Sequence, residues 1–89
     1  MKLVYCRECD DVVRLFDDTR KCECGKTSGR YKPESETHAE FSGPCVPFAL
    51  SNTEFQVAVF QRNKDRSIPF FGWVPTTNDP KFEDLKDGA

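Results

Sequence analysis

The sequence has little of two features that would point to common function classes. It contains one histidine, His38, which has Glu36 and Glu40 nearby but no nucleophile motif beside it. We therefore expect no general acid–base site, and we predict that the protein is not an enzyme. Positive charge is not in excess either, since 13 Lys and Arg face 15 Asp and Glu and the pI is near 5.3. That balance argues against a dedicated duplex-DNA binder.

Long apolar runs are also missing. The run that ends before Arg7 is far too short for a signal peptide or a membrane-spanning helix, so we expect a cytoplasmic protein without membrane association. The chain has 89 residues, and a chain of that size buries only about 60% of its unfolded surface. The 8 Phe, 2 Tyr and 1 Trp indicate a small aromatic core. A domain this small usually needs an additional staple.

Cysteine, in contrast, is frequent near the start of the chain. Two close pairs, C-x-x-C and C-x-C, are formed by Cys6, Cys9, Cys22 and Cys24. In a reducing compartment such pairs hold a metal more often than they form disulfides. Thiolates are ligands that Zn²⁺ prefers, and four of them at about 2.3 Å close its coordination sphere. The sequence therefore predicts a structural zinc ion bound by these four cysteines.

The short second pair leaves alternatives open, because the usual spacing in zinc ribbons is C-x-x-C. The cysteines could be buried reduced thiols, a redox-active dithiol, or ligands of another metal. His38 could replace Cys22 or Cys24 as a ligand, although a surface position on a strand fits it better. The fifth cysteine, Cys45, lies in an apolar run, which favours a buried core thiol over a ligand.

Four strands are predicted from short apolar or β-branched runs with polar turns between them. They cover residues 2–5, 12–16, 29–31 and 37–41. The first two would form an antiparallel hairpin with the first cysteine pair at its tip. Ser51 and Glu54 have the spacing of a capping box, which favours a helix from Asn52 to about Arg62. The alternation of apolar residues in the same stretch leaves a strand as the alternative.

The C-terminal third divides into an apolar and a polar part. Residues 68–75 are the most apolar stretch, and the flanking prolines suit an edge strand or an extended packing segment. The composition then turns polar, and we expect a frayed segment or a short, weakly docked helix. The sequence therefore predicts an α+β fold, a small zinc-ribbon-like antiparallel β domain with one helix over residues 1–75. A polar C-terminal tail would cover residues 76–89.

Three segments of the chain resemble a known pattern. They are Cys6-x-x-Cys9-Asp10-Asp11-Val12-Val13, Cys22-x-Cys24-Gly25-Lys26-x-x-Gly29-Arg30-Tyr31 and Ser51-Asn52. Together they are similar to a family of small, largely uncharacterised bacterial and phage proteins built on paired zinc-ribbon-like knuckles. The resemblance covers about two thirds of the chain and implies a metal site and a bacterial or phage origin. It makes Gly29, Tyr31 and Asn52 the first candidates for a shared binding surface, and the family has no settled activity.

The cationic and aromatic residues suggest a non-catalytic binding module. Cations would contact phosphate and rings would stack on bases, so the expected ligand is a nucleotide-type anion or a short single strand. The candidate residues are Arg20, Lys26, Arg30, Tyr31, Asn52, Arg62 and Trp73. In a phage or bacterium, such a protein would be a small regulator or inhibitor acting on that ligand or on a host protein. Ordinary solvated charges around an aromatic core are the alternative interpretation of the same residues.

The sequence is compatible with two other functions. Residues 68–74 would expose Phe71 and Trp73, which are residue types favoured at interfaces, so the chain could be a protein-interaction module or a homo-oligomer. A cysteine-based redox protein is the third possibility, and it requires an accessible thiol of low pKa that metal binding would block.

Overall fold

The computed structural model describes residues 1–85, which form eight strands and one helix. In chain order they are β1 (Lys2–Cys6), β2 (Val12–Arg14), β3 (Arg20–Lys21), β4 (Ser28–Tyr31), β5 (Ala39–Ser42), β6 (Cys45–Leu50), α1 (Asn52–Phe60), β7 (Gly72–Trp73) and β8 (Phe82–Asp84). The first sheet has the order β2-β1-β6-β7 and is antiparallel throughout. The second has the order β3-β4-β5-β8, in which β8 runs parallel to β5. The small α+β fold that the sequence predicts is confirmed.

Both sheets contribute to one apolar core. Its buried side chains are Val4, Leu15, Ala39, Phe41, Ala49 and Phe82. Val4 comes from β1 and Ala49 from β6 in the first sheet, whereas Phe41 comes from β5 and Phe82 from β8 in the second. Because each sheet can bury only one face here, the two sheets stabilise each other through this shared cluster.

Helix α1 follows β6 after a single residue, and its start agrees with the capping signal in the sequence. The Ser51 hydroxyl accepts a hydrogen bond from the Glu54 amide at 3.4 Å, which satisfies one of the free donors of the first turn. The helix prediction is thus confirmed over its strand alternative, although the helix ends at Phe60, before Arg62. Only Ala58 of this nine-residue helix is buried. Residues 1–85 contain no helix with the length and apolar character needed to cross a bilayer.

The predicted hairpin of the first two strands and the edge position of β7 are also confirmed. Strands β3 and β6 were not predicted. Strand β3 has only two residues, and β6 contains Pro47, a residue type that is usually confined to sheet edges. In the structure β6 lies between β1 and β7, where Pro47 is opposite Val4 of β1.

The prediction of a frayed segment or a short helix after residue 76 is wrong for the described part of that stretch. Phe82 begins β8 and is only 7% exposed, and the Lys81 carbonyl accepts a hydrogen bond from Ala39 at 2.9 Å. One large ring in a polar segment is enough to dock it, because that ring completes the core against β5. Residues 86–89 of the predicted tail lie outside the described residues.

We predict that Phe82→Ala destabilises the fold by about 3 kcal/mol, because it leaves a cavity in the shared core. Phe60→Ala is the matched control, since Phe60 is 91% exposed and its removal should change stability by about 0.5 kcal/mol or less. Urea unfolding of both variants at a fixed metal concentration measures the difference. Equal stabilities would contradict the role of β8 in the core.

Candidate metal centre

Each cysteine pair lies in a tight turn at the end of a strand. Cys6 is the last residue of β1, and its carbonyl accepts from the Asp10 amide at 2.9 Å, which closes a turn around Cys9. Cys22 follows β3, and its carbonyl accepts from the Gly25 amide at 3.0 Å. Gly25 has φ +78°, a conformation that glycine adopts without strain, so the turn after Cys24 can reverse sharply.

The two turns bring four sulfur atoms together. The Sγ atoms of Cys6, Cys9, Cys22 and Cys24 all lie within 4.8 Å of one another. The Sγ atom of Cys24 is 3.4 Å from that of Cys22 and 3.8 Å from that of Cys6. Sulfurs at the corners of a zinc tetrahedron are about 3.8 Å apart, whereas a disulfide bond is about 2.05 Å long. The spacing suits a shared cation, and the short C-x-C pair reaches the cluster as well as the C-x-x-C pair does.

Backbone amides point at the sulfurs from both turns. The Thr27 amide donates to Cys22 Sγ at 3.4 Å. The Thr27 hydroxyl and the amides of Cys9 and Glu8 lower the pKa of Cys6, and the Lys26 amide acts to lower that of Cys24. Hydrogen bonds of this kind stabilise thiolates. The turns thus supply donors to three of the four sulfurs before any cation is added.

Neighbouring sulfurs contribute to the pKa shifts of Cys22 and Cys24. Burial alone would raise the pKa of Cys22, but the Thr27 amide and the neighbouring cysteines lower it to about 6. For Cys24 the Lys26 amide acts to lower the pKa, whereas burial and the sulfurs of Cys22, Cys9 and Cys6 raise it to about 12. One thiolate therefore forms readily, and its charge opposes the ionisation of the next. A divalent cation would remove this repulsion, so the donor set fits a metal ion.

Thr27 is a polar residue of the centre that sequence reasoning missed. Its side chain is fully buried, and its hydroxyl has no hydrogen-bond partner among the neutral groups around it in the described residues. The same hydroxyl is the main cause that lowers the pKa of Cys6, because it can donate to that sulfur once the thiol is ionised. A thiolate at Cys6 would thus give the buried Thr27 hydroxyl the hydrogen-bond acceptor that it lacks. Nothing in the sequence except its position three residues after Cys24 indicates this role.

The remaining cysteine and the histidine lie apart from the four ligands. Cys45 is opposite Cys6 on the neighbouring strand, but its Sγ atom contacts the Ser42 carbonyl at 3.8 Å, and burial raises its pKa to about 11. His38 Nδ1 is 2.9 Å from the Thr37 hydroxyl and 3.4 Å from the Ser35 hydroxyl. Among the described residues, the group of side chains placed to hold a metal comprises the four paired cysteines.

Three of the predicted ligand-binding cations form ion pairs. Arg20 pairs with Asp18 at 3.2 Å, Lys26 with Glu8 at 3.7 Å, and Arg30 with Glu40 at 2.8 Å. The Arg20 guanidinium also lies 4.3 Å from the centre of the Phe16 ring. The Arg20 and Lys26 pairs are exposed and weak, so both cations could exchange partners, whereas the carboxylate of the Arg30 pair is largely buried.

Tyr31 and Asn52 lie together. Both line a cleft of about 960 Å³, to which Arg14, Lys32 and His38 also contribute. The Asn52 amide oxygen accepts from the N-terminal ammonium of Met1 at 2.6 Å. Sequence reasoning missed Arg14, because the cleft joins the end of β2 to the loop after β4.

The other candidates lie elsewhere. Arg62 lines a groove between α1 and the segment that follows it, and Trp73 stacks on Phe71 at the edge of the first sheet. Gly29 is buried in β4, where a Cβ would approach the Leu15 side chain to 2.8 Å. The predicted ligand-binding residues therefore do not converge on one surface.

Comparisons of the chain with protein-family models, with curated proteins and with solved structures found no match. The resemblance to small bacterial and phage zinc-ribbon-like proteins thus stays a prediction from the sequence. The function of the chain has to be inferred from its own residues and their geometry.

We predict that Thr27→Val, which removes the hydroxyl and keeps the shape, lowers metal affinity by about tenfold, because a buried thiolate loses a donor. Thr19→Val, at an exposed position, is the control and should keep the original affinity. Competition with a chromophoric chelator measures both variants. If Thr27→Val binds metal as tightly as the unmodified chain, the hydroxyl does not support the centre.

Proposed function

We propose that this chain is a non-catalytic binding module with a zinc-ribbon-like centre, in which Cys6, Cys9, Cys22 and Cys24 hold a structural zinc ion. The observation that carries the proposal is the convergence of four Sγ atoms within 4.8 Å, supported by backbone donors. When bound, zinc would supply a fixed tetrahedral cross-link and folding free energy.

The donor set favours a structural over a catalytic role. Four thiolates complete a tetrahedral sphere, so no position remains for water or substrate. His38, the only histidine of the sequence, is held by hydroxyls of its own turn and lies outside the cysteine group. A module that binds rather than reacts is the simplest function for such a centre.

The cross-link would join the two sheets. Cys6 extends directly from β1 of the first sheet, whereas Cys22 and Cys24 lie in the loop between β3 and β4 of the second. A chain of this size gains only a few kcal/mol from its core, so a metal that ties the sheets together should decide whether the fold is stable.

An apolar surface is available to a partner. Phe70, Phe71, Trp73 and Val74 are all at least 40% exposed in and next to β7. Exposed aromatic residues in such number are typical of interaction sites. We therefore favour a protein as the binding partner.

The zinc proposal predicts different effects of two cysteine substitutions. Cys24→Ser removes a ligand and should lower the melting temperature by about 10 °C, equivalent to about 2 kcal/mol in a domain of this size. Cys45→Ala is the matched control. It should keep the metal and lower the melting temperature less than Cys24→Ser does, since Cys45 is only partly buried against the core. Metal analysis after dialysis and thermal unfolding measure the two effects.

The unmodified chain should carry one zinc ion and lose its fold on chelation. A folded, metal-free chain would contradict the proposal. If that chain also formed a reversible disulfide between Cys22 and Cys24, the redox alternative would replace it.

A second candidate is the binding of a nucleotide-type anion in the cleft lined by Tyr31 and Asn52. The observation that favours it is the Arg14 guanidinium, 4.8 Å from the centre of the Phe16 ring, in a cleft that Tyr31 and Lys32 also line. Lys32 forms an ion pair with Glu83 and would have to exchange this partner for the ligand. Cations next to aromatic rings can contact phosphate while the rings stack on a base. Asp17, Glu34 and Glu36 also line the cleft and would oppose an anion, so we place this candidate second.

With adenosine monophosphate as the probe, Arg14→Gln should weaken binding by about tenfold, since one charge-assisted contact is lost. Arg62→Gln, a change outside the cleft, is the control and should leave binding unchanged. Calorimetry at low and high salt measures both, and affinity should fall as the salt concentration rises. Equal effects of the two substitutions would exclude this cleft as the site.

A further inference from the structure

The edge of the first sheet carries an aromatic pair. Phe71 and Trp73 are two residues apart, so their side chains lie on the same face of the strand. Their rings stack with centroids 5.4 Å apart and planes 20° apart. They are nevertheless 53% and 40% exposed. The result is a flat, preorganised aromatic surface at the last strand of the sheet.

Strand β7 also has backbone groups directed away from the sheet. The Phe71 carbonyl accepts from the Ser51 amide at 2.8 Å, and Trp73 is opposite Ala49 of β6. In an antiparallel ladder, alternate residues direct both polar groups to the same neighbour. The backbone amides and carbonyls of Phe71 and Trp73 therefore point toward β6. The amide and carbonyl of Gly72, between them, point away from the sheet. A Cβ at position 72 would come within 3.0 Å of Leu50 Cδ2, which favours glycine there.

We propose that a second copy of this chain occupies this edge, through antiparallel pairing of the two β7 strands about a two-fold axis at Gly72. In that register Gly72 pairs with Gly72 of the second copy, which gives two equivalent backbone hydrogen bonds. Phe71 of each copy then lies opposite Trp73 of the other. This inference rests on the proposed role of the chain as a binding module, and it identifies the partner.

The register is self-complementary in its side chains. The Phe71–Trp73 pairs are the non-hydrogen-bonded pairs of the ladder, in which side chains approach most closely. Aromatic pairs across strands stabilise sheets, and here two such pairs form at once. The four rings would extend the stack present in one chain across the interface. An isologous contact of this kind uses the same surface of both copies and therefore closes as a dimer.

The flanking prolines are compatible with this pairing. Pro69 and Pro75 are each three positions from Gly72. Along an extended strand, their backbone groups therefore point toward β6, like those of Phe71 and Trp73. Their missing N–H groups are thus not needed at the outer edge. They also end the extended segment on both sides, which limits the interface to residues 70–74.

The size of the interface predicts a reversible dimer. The exposed apolar side chains of residues 70–74 amount to roughly 400 Å² per copy, using typical areas for these residue types. Even full burial of these side chains in both copies would give roughly 800 Å² of apolar area plus the strand backbone, which is below the roughly 1,200 Å² of stable specific interfaces and in the range of weak, transient ones. We expect a concentration-dependent equilibrium between monomer and dimer.

The experiment is sedimentation velocity of the full, metal-loaded chain from low to high micromolar concentration. Phe71→Glu alone and Trp73→Lys alone should each raise the dimer dissociation constant by about tenfold or more, since each buries an unpaired charge. A mixture of the two variants should recover association, because the new glutamate lies opposite the new lysine while the native rings face each other. Phe60→Glu, an exposed aromatic outside β7, is the control and should dimerise like the unmodified chain.

The sedimentation results distinguish the proposed dimer from a monomer and from a dimer formed through another surface. Recovery in the mixture supports both the register and the folded state of the two variants. A chain that stays monomeric, or a dimer that Phe60→Glu disrupts and Phe71→Glu does not, overturns the proposal. Metal content measured on the same samples tests the zinc centre independently, so a monomer with one zinc ion would overturn only the dimer and leave a different partner for the binding module.

Discussion

The approach of two cysteine turns from different sheets is the constraint on which this structure depends. The shared core contains six buried side chains, two of them alanines, so apolar burial alone gives the sheets a small area of contact. Cys6 ends β1 of the first sheet, and its Sγ atom lies 3.8 Å from that of Cys24 in the loop between β3 and β4 of the second sheet. The proposed zinc ion would fix this junction. It would also give the buried hydroxyl of Thr27 the thiolate partner that it otherwise lacks.

A fold stapled in this way can leave large apolar side chains outside its core. Phe60, Phe71 and Trp73 contribute little burial to the domain, whereas the buried Phe41 and Phe82 belong to the shared cluster. The three exposed rings are a considerable share of the 8 Phe, 2 Tyr and 1 Trp in the chain. Stability and function are linked in this way, since the metal would maintain the fold while the segment around β7 remains available for contacts.

Features encoded by neighbouring residues were predictable from the sequence. The cysteine spacing predicted the four-sulfur group, and Ser51 with Glu54 predicted the start of α1. Features that depend on distant contacts were not. Phe82 lies in a polar segment and becomes a core residue only because β8 pairs with β5. Strand β6 is central in its sheet although it contains Pro47, a residue type that argues against a central strand. The predicted ligand-binding residues share chemistry but not a location, and the fold separates Tyr31 and Asn52 from Arg62 and Trp73.

Hydrogen exchange of the backbone amides, with the metal bound and after chelation, tests most directly whether the cysteine centre holds the two sheets together. We expect β1 and β6 of the first sheet to lose protection together with β4 and β5 of the second, because removal of the cross-link unfolds the shared core. Loss of protection confined to the cysteine turns, residues 6–11 and 22–27, with both sheets still protected, would contradict this role of the centre.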